Sequence, residues 1–506
     1  MNKFNKITAI VLTLIIVLTV LSTSTFAAEI PDNGQAQTTE QAQLTEQKEY
    51  LDSVREFIRQ KYSGQIPEEA LDKATNLKDM FETLDDYSVF LNIDEFNTMV
   101  NSLSGSVEGV GISVYLEDKA KYITVEKVYK NSPAWKAGVL TGDQIAEVDG
   151  VSVAGMSLND VTGKVKGPAG TTVKLGLLRQ GVKKVLTLEM QRAQIDIPTV
   201  HYEIRGTTGY ILIDTFSVNT FSGVEEALKY FDSKKVTKVV LDLRNNPGGY
   251  VDQAIYVAQQ FVPQGLITKL DYKDEAVSDQ SYYSSRTSLK YKLAVLVNEN
   301  SASASEILTG AIKDTKAGVV IGTKTFGKAK VQSFFPILNN ETFVSLNKAN
   351  QTKKVNAFDF NYYPEDSQLA GWAKMTIGLY YTPNGECIDL KGIEPNVKVT
   401  EDYSADDVPV NLLEPLTVTV KPKLGTKYSD VFYAEHILKL LNYNVDKPDM
   451  TLDKKTVAAI AKFQKDNKVY SYGVLDFCTQ NLLNSKLAAI KQTKDPVYSM
   501  AAKLLK

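Results

Sequence analysis

Strands and helices alternate between residues 202 and 399, and this alternation limits the fold more than any other feature of the chain. Strand patterns are followed by amphipathic helical patterns at 209–213 and 221–231, at 236–243 and 251–261, and at 293–297 and 304–313, before a strand at 319–321. Such repetition is typical of an α/β core. Ligands of α/β folds usually bind in the crevice at the carboxyl ends of the strands, where we expect the functional residues.

The chain has 506 residues, which is too many for one hydrophobic core and indicates about three domains joined by linkers. Composition and periodicity predict an N-terminal targeting segment at 1–28, a linker at 29–43, a helical region at 44–105 and a strand-rich region at 106–190. The α/β core is expected at 191–399, followed by a connector at 400–428, a helical module at 429–487 and a tail at 488–506. The helical region at 44–105 can serve as a packing arm or as a dimerisation arm.

The N-terminus has the layout of a secretory signal peptide. Lys3 and Lys6 precede an apolar run at 7–21, and small residues follow up to Ala28. The run is short for a bilayer span, so an uncleaved anchor is the alternative. We therefore expect the mature chain outside the cytoplasm, secreted or associated with the cell envelope.

Charge and rare residues exclude several function classes. The net charge is −3 and the chain contains no long basic run, which argues against a nucleic-acid partner. The two cysteines, Cys387 and Cys478, are too few for a disulfide framework or a cysteine-rich zinc site. The two histidines, His201 and His436, cannot form a histidine-rich metal site. We predict no metal and no cofactor.

A run of small residues, NSASASE at 300–306, lies between a predicted strand and a predicted helix. A serine at such a turn is exposed beside the free N–H groups of the helix N-terminus, which can stabilise an oxyanion. Ser301, Ser303 and Ser305 can instead merely cap the helix, which is the common role of serine runs before helices. The segment alone leaves a catalytic role and a capping role open.

A nucleophilic serine needs a base. His436 lies in the C-terminal module and His201 stands before the core with no obvious acidic orienter, so Lys328 is the candidate. Burial can lower the pKa of a lysine until the amine is neutral. Phe326 and Val331 can supply apolar walls, and Gln332 can orient the amine without stabilising its charged form. An ordinary exposed lysine is the alternative.

A third segment, DLRNNPGG at 242–249, is a buried strand that ends in a Pro-Gly-Gly turn. Glycines at the carboxyl end of a strand allow backbone N–H groups to face a substrate carbonyl. A plain turn between a strand and a helix is the alternative for Gly248 and Gly249.

Together these segments resemble the tail-specific protease family, also called carboxyl-terminal processing peptidases. The matching strings are DLRNNPGG (242–249), NSASASE (300–306), TFGKAKVQ (325–332) and YYTPNGECIDLKGIEPNV (380–397). The resemblance implies a multidomain α/β and α+β protein whose Ser-Lys peptidase core at 191–399 is ClpP- and crotonase-like, with a PDZ domain preceding it.

The resemblance also implies roles for individual residues. Ser303 would be the nucleophile of an acyl-enzyme mechanism, Lys328 the general base, and Gln332 the group that orients the lysine. The oxyanion hole would consist of the N–H of Ala304 and one N–H from Gly248 or Gly249. Three departures stand out: Ala329 follows the lysine where many relatives have glycine, the closing Pro-Asp is Pro395-Asn396, and an insertion-like stretch covers 347–372. That stretch can cover the substrate cleft or form a surface excursion.

Residues 106–190 resemble a PDZ domain. The loop expected to hold a peptide carboxylate is Gly109, Val110, Gly111 and Ile112, followed by a PAxxAGxxxGDxI pattern from Pro133 to Ile145. By resemblance the domain captures apolar C-terminal tails. Lys166 lies where many relatives have an arginine that couples tail sensing to the active site; an exposed turn lysine is the alternative.

Residues 429–487 resemble a small three-helix peptidoglycan-binding domain. The strings are LLNYNV (440–445), DKKTVAAIAKFQKDNKV (453–469) and GVLDFCTQNLL (473–483). The alternative is a helical appendage that only packs or dimerises.

These features predict an exported serine endopeptidase that acts on proteins with apolar C-terminal tails, with peptidoglycan as a further partner. The alternative is a catalytically silent PDZ and cell-wall scaffold. A penicillin-recognising acyl enzyme is disfavoured, because its lysine would stand at position 306, which is Glu306. By family precedent, the substrates include membrane-tethered signalling proteins, among them proteins that act in sporulation. A homodimer is a further hypothesis.

Overall fold

The computed structural model describes residues 33–116, 120–129, 131–179, 182–350, 354–358, 364–401, 410 and 413–506. The predicted signal peptide at 1–28 lies outside these residues. Within the described part, no helix combines the length and the apolar character needed to cross a membrane.

The N-terminal region is mainly helical. Its elements are α1 (Asn33–Lys61), α2 (Glu68–Lys73), α3 (Leu77–Glu82), β1 (Val89–Leu91) and α4 (Ile93–Ser104). Helix α1 begins at Asn33, so most of the predicted linker at 29–43 is helical instead; after Gly34 this stretch contains no glycine or proline to interrupt a helix. Val54, Phe57 and Ile58 of α1 are buried against residues of the later sheet, so this region packs onto its own chain.

The PDZ region contains a five-stranded antiparallel sheet with an additional short strand. Its elements are β2 (Ser106–Gly109), β3 (Ile112–Tyr115), β4 (Ile123–Val128), α5 (Pro133–Ala137), β5 (Gln144–Val148), β6 (Val151–Ser152), α6 (Leu158–Val165), β7 (Thr172–Leu178), β8 (Leu186–Gln191) and β9 (Ala193–Asp196). The sheet order is β3-β4-β5-β7-β8. Strands β2 and β9 pair with each other outside this sheet, so the chain enters and leaves the region through one two-stranded ribbon.

The core is a six-stranded sheet in the order β10-β11-β12-β15-β16-β19, parallel from β11 onward. Its elements are β10 (Val200–Arg205), β11 (Thr208–Ile213), α7 (Thr220–Ser233), β12 (Lys238–Asp242), α8 (Val251–Phe261), β15 (Lys292–Val297), α9 (Ala304–Asp314), β16 (Val319–Gly322) and β19 (Val397–Lys398). The predicted alternation is confirmed to within two residues at each boundary. Helices α7, α8 and α9 bury their apolar faces on one side of the sheet.

A second sheet stands beside the core. It contains β13 (Gly265–Tyr272), β14 (Gln280–Ser284), β17 (Lys330–Leu338) and β18 (Leu369–Tyr381), with helix α10 (Asn340–Ala349) between the last two. The long β18 pairs with β1, β13 and β17, so the N-terminal region is part of this sheet. In the described part of the 347–372 stretch, Ala357 donates its N–H to Ser53 of α1 at 2.8 Å and Phe358 stacks on Phe57. These residues therefore pack against α1.

The C-terminal part contains α11 (Ser429–Leu440), α12 (Lys454–Asp466), α13 (Phe477–Thr493) and α14 (Pro496–Leu504). Helices α11 to α13 enclose one apolar cluster, which also includes Leu413 and Leu416 of the predicted connector. The predicted tail at 488–506 is wrong: α13 continues to Thr493, and Val497, Tyr498 and Ala501 of α14 pack on the second face of the core sheet. The apolar spacing of α14 supplies the cover that this sheet face requires.

Candidate active site

Ser303 stands at the turn between β15 and α9, as its sequence position indicates. Its backbone has φ +56° and ψ −116°, a conformation that costs free energy for a residue with a side chain. The side chain is half-buried. Among the described residues the Ser303 hydroxyl donates no hydrogen bond, so its proton is available for transfer to a base.

The two neighbouring serines have a different role. Ser301 and Ser305 are fully buried, and their hydroxyls donate to the carbonyls of Leu243 and Asn246 at 2.8 and 3.0 Å. These bonds fasten the serine turn to the end of strand β12. The structure thus separates one serine with an available hydroxyl from two that hold the turn in place.

The glycine turn after β12 touches the serine turn directly. A Cβ atom on Gly248, whose φ is +103°, would lie 2.8 Å from the Ser303 Cβ and 3.0 Å from the Ala304 nitrogen. Only glycine permits this approach. The Gly248 N–H already donates to the Asn246 side chain at 2.9 Å, whereas the Gly249 N–H makes none of the hydrogen bonds found among the described residues. Of the two predicted glycine donors, Gly249 is therefore the one left available.

Lys328 lies between β16 and β17, with its side chain half-buried. Burial, and to a smaller extent the charge of Lys374, lowers the pKa of the Lys328 amine to about 8. The amine donates to Gln332 Oε1 at 3.2 Å and lies 4.3 Å from the centre of the Tyr87 ring. Among the described residues no hydrogen bond joins this amine to Ser303.

Gln332 is held from its other end by the N-terminal region. Its Nε2 donates to the Tyr87 carbonyl at 3.0 Å, which leaves its oxygen to accept from Lys328. The Tyr87 loop is fixed in turn by Asp85, which accepts from Lys330 and Thr376, each at 3.0 Å. A region predicted only to pack or to dimerise therefore contributes to this site.

Glu306 joins the serine and lysine segments. Its carboxylate is fully buried and accepts from the N–H groups of Ser303 and Lys328 at 2.9 Å each, from the Gly327 N–H at 2.7 Å and from the Thr325 hydroxyl at 2.6 Å. Burial raises the pKa of this carboxyl, and the four hydrogen bonds oppose that rise.

Tyr380 adds a second link between the two segments. Its hydroxyl donates to the carbonyls of Lys328 and Ser303, at 2.7 and 3.1 Å. Sequence reasoning used Glu306 only to exclude another enzyme class and missed Tyr380 and Tyr87. For Glu306 a signal was present, because a glutamate three residues after a serine at a helix start is typical of a capping box. Tyr380 begins the string at 380–397 that resembles the family, but no role was assigned to it, and Tyr87 carries no local signal.

Two parts of the chain match known protein families. The profile of peptidase family S41 matches residues 207–399, and that of the PDZ domain matches residues 124–179. The chain is 30% identical over 466 residues to the carboxy-terminal processing protease CtpB of Bacillus subtilis, covering 91% of this chain and 88% of the relative.

The chain belongs to the carboxy-terminal processing proteases, peptidase family S41. It is a serine protease. It is also 33% identical over 363 residues to the carboxy-terminal-processing protease of Bartonella bacilliformis, which covers 70% of this chain and 76% of that protein. Among solved structures, the photosystem II D1 C-terminal processing protease matches 70% of this chain and 93% of its own, with 27% identity and a TM-score of 0.40.

This carboxy-terminal processing protease carries a PDZ domain, and a groove of about 210 Å³ lies between β3 and α6. The predicted carboxylate loop from Gly109 to Ile112 lines it, together with Val161, Val165 and Lys166 of α6 and its C-cap. Ile195 of the β2–β9 ribbon lines the same groove. The groove therefore combines apolar side chains with a loop of backbone N–H groups.

Two sequence expectations for the protease need correction. Phe326 is 53% exposed and is not a wall that buries Lys328. The sequence shows no acidic partner for His201, yet its Nε2 lies 2.9 Å from Asp214, and this hydrogen bond raises the pKa of the histidine. The partner was missed because the pairing of β10 with β11 places His201 opposite Leu212, close to Asp214.

Proposed function

We propose that this protein is an exported endopeptidase that hydrolyses peptide bonds through an acyl-enzyme on Ser303, with Lys328 as general base. The observation that carries this proposal is the pairing of one available serine hydroxyl with a lysine whose pKa is about 8, on two segments that Glu306 joins. Gln332, positioned by Tyr87, orients the amine and is uncharged, so it does not oppose deprotonation as strongly as a carboxylate would.

In the proposed reaction the neutral Lys328 amine takes the proton of the Ser303 hydroxyl, and the oxygen attacks the substrate carbonyl carbon. The negative charge that develops on the carbonyl oxygen is stabilised by the N–H groups of Ala304 and Gly249. The ammonium then gives its proton to the leaving nitrogen as the C–N bond breaks. Water hydrolyses the ester by the same steps, which returns the proton to Ser303.

The amine must approach Ser303 for the first step. No hydrogen bond among the described residues joins it to Ser303, so the mechanism requires the amine to move closer to the serine when substrate binds. A neutral amine can keep donating to Gln332 while its lone pair accepts the serine proton. Catalytic hydrogen bonds are often long before substrate binds and shorten in the reacting complex.

Substrate selection by the PDZ domain is part of the proposal. The apolar residues of the groove suit an apolar C-terminal side chain, and the N–H groups from Gly109 to Ile112 suit its carboxylate. Lys166 lines the same groove and its charge favours a carboxylate there. We propose Lys166 as the residue that couples tail binding to the active site.

The proposed location is extracytoplasmic, on the basis of the N-terminal sequence, and the proposed second partner is peptidoglycan, on the basis of the resemblance of residues 429–487. Sedimentation of the purified protein with insoluble peptidoglycan tests the second point, with serum albumin as the control for trapping. Light scattering of the chain 29–506 tests the homodimer hypothesis.

The central experiment incubates residues 29–506 with β-casein, beside Ser303→Ala and Lys328→Ala. We expect cleavage by the unmodified chain and loss of cleavage in both variants. Retained cleavage in Lys328→Ala would contradict the assignment of the base and direct attention to His201, which has Asp214 as an orienting partner. Retained cleavage in Ser303→Ala would overturn the nucleophile.

A further inference from the structure

Two large apolar side chains are exposed beside the lysine segment. Phe326 is 53% exposed, and Leu390 is 86% exposed, the largest exposed fraction among the large hydrophobic side chains that the structure describes. Single exposed apolar residues are common on protein surfaces. The position and the backbone of these two distinguish them from such residues.

Leu390 occupies a conformation that a leucine rarely adopts. Its φ is +59°, in the left-handed region that glycine and asparagine tolerate and that a branched side chain disfavours. Its exposed side chain contributes little burial to offset this cost. Strain at a residue whose side chain the fold leaves exposed suggests that this side chain contacts something else.

Backbone hydrogen bonds connect both residues to the serine and lysine segments. The Leu390 N–H donates to the Gly327 carbonyl at 2.8 Å, and Asp389 accepts from the Ala329 N–H at 3.1 Å. The Phe326 N–H donates to the Ser301 carbonyl at 3.0 Å. Phe326 is thus two positions before Lys328 in the chain. Leu390 is hydrogen-bonded to Gly327, the residue that precedes Lys328.

Close packing keeps this arrangement rigid. A Cβ atom on Gly327 would lie 2.7 Å from the Gly392 nitrogen, so the two segments touch with no space for a side chain between them. The left-handed backbone of Leu390 is therefore held against the segment that carries Lys328.

We propose that Phe326 and Leu390 bind apolar side chains of the protein substrate next to the bond that is cleaved, and so give the active site a preference of its own, separate from the PDZ groove. This inference rests on the proposed roles of Ser303 and Lys328. A protein substrate is the occupant that fits, because the backbone of both residues is hydrogen-bonded to the segments of Ser303 and Lys328, where the proposed reaction takes place.

Binding is measured first, in the Ser303→Ala background, where no peptide is consumed. The probes are two fluorescent peptides of equal length and charge, each with a polar, amidated C-terminus that does not suit the PDZ groove, one with leucines and one with serines around its centre. We expect Leu390→Asn and Phe326→Ser each to weaken binding of the leucine peptide about tenfold, the usual effect of one apolar contact. Binding of the serine peptide should change less than twofold.

The variants are chosen so that folding is retained. Asparagine and glycine both tolerate the backbone of Leu390, so Leu390→Asn and Leu390→Gly should unfold at the same temperature as the parent or a higher one. Lys316→Gly is the matched control: Lys316 has φ +57° in the turn after α9, and its replacement relieves the same strain without changing peptide preference.

The second readout is the set of bonds cut in β-casein by enzymes that retain Ser303, mapped by mass spectrometry. We expect fewer cuts beside leucine and phenylalanine with Leu390→Asn, at an unchanged total rate for polar sites. An unchanged peptide preference in both Leu390→Asn and Phe326→Ser overturns the inference. A change in molecular mass by light scattering in Leu390→Asn also overturns it, because the surface would then join two copies of the chain. Failure of Ser303→Ala to abolish cleavage would refute the proposed mechanism instead.

Discussion

Arg244, which follows β12, and the half-buried Lys328, which precedes β17, are both cations withdrawn from water, and their partners are opposite in kind. The fully buried Arg244 contacts Asp242 at 2.6 Å, Asp495 at 2.7 Å and Glu401. Lys328 faces the neutral Gln332 and Tyr87, and no ion pair among the described residues includes it.

The pKa shifts follow from these partners. Burial alone would lower the pKa of Arg244, but the charges of Asp242 and Asp495 hold it well above its ordinary value. Burial also lowers the pKa of Lys328, and the like charge of Lys374 adds to that effect. A buried cation therefore serves structure or chemistry according to its neighbours.

The largest effect that tests this comparison is on activity. Lys328→Met should lower kcat/KM at least about 1,000-fold, because the base is removed. The free energy of unfolding at pH 7 should not fall by more than about 1 kcal/mol, because no opposite charge loses its partner. Casein cleavage and urea denaturation measure the two quantities. A large loss of stability would instead show that Lys328 has a structural role like that of Arg244.

Arg244→Met should have the reverse outcome. It leaves Asp242 and Asp495 buried without a cation, which costs about 3–5 kcal/mol of unfolding free energy. Urea denaturation measures this cost. Arg59→Met is the control, since the ion pairs of Arg59 with Glu68 and Asp72 are more exposed and should contribute less than about 1 kcal/mol. Equal losses in the two variants would contradict the comparison.

Glu306→Gln tests the link between the serine and lysine segments. The amide can accept hydrogen bonds through one atom only, and its NH₂ group faces N–H donors. We expect kcat/KM to fall about 100-fold, the usual effect of disturbing one catalytic hydrogen-bonding group, with kcat carrying the loss. Glu299→Gln, at an exposed position before the serine turn, should change kcat/KM less than about twofold. Unaltered kcat in Glu306→Gln would show that the link is dispensable.

The smallest effect concerns pH. A lysine base works only when neutral, so kcat/KM should rise with pH through the Lys328 pKa of about 8. Lys374→Met removes a like charge, which raises that pKa and moves the rising limb to higher pH by less than about one unit. In this variant kcat/KM at pH 7 should fall, whereas its plateau value at high pH should not change. The exposed Lys229→Met is the control, and a shift to lower pH would refute the assigned cause.

Much of the fold could be predicted because its signals are local. The strand and helix pairs of the core appear in the sequence as hydrophobic periodicity, and the structure confirms them. The tail at 488–506 was misjudged for a related reason. The apolar spacing of α14 is local, but the sheet face that it covers belongs mainly to strands about 170 to 290 residues earlier, so the sequence around α14 does not show where the helix packs.

The sequence by itself determined the motifs with fixed local geometry: the serine run before α9, the glycines after β12 and the lysine before β17. Only the tertiary structure decided which serine hydroxyl stays available, which glycine N–H remains unbonded, and that Tyr87, from the N-terminal region, stands against Lys328. Those outcomes depend on hydrogen bonds and contacts between segments far apart in the chain. The physical reason is that a side chain's pKa and reactivity are set by its neighbours in space, and the chain order specifies those neighbours only through the completed fold.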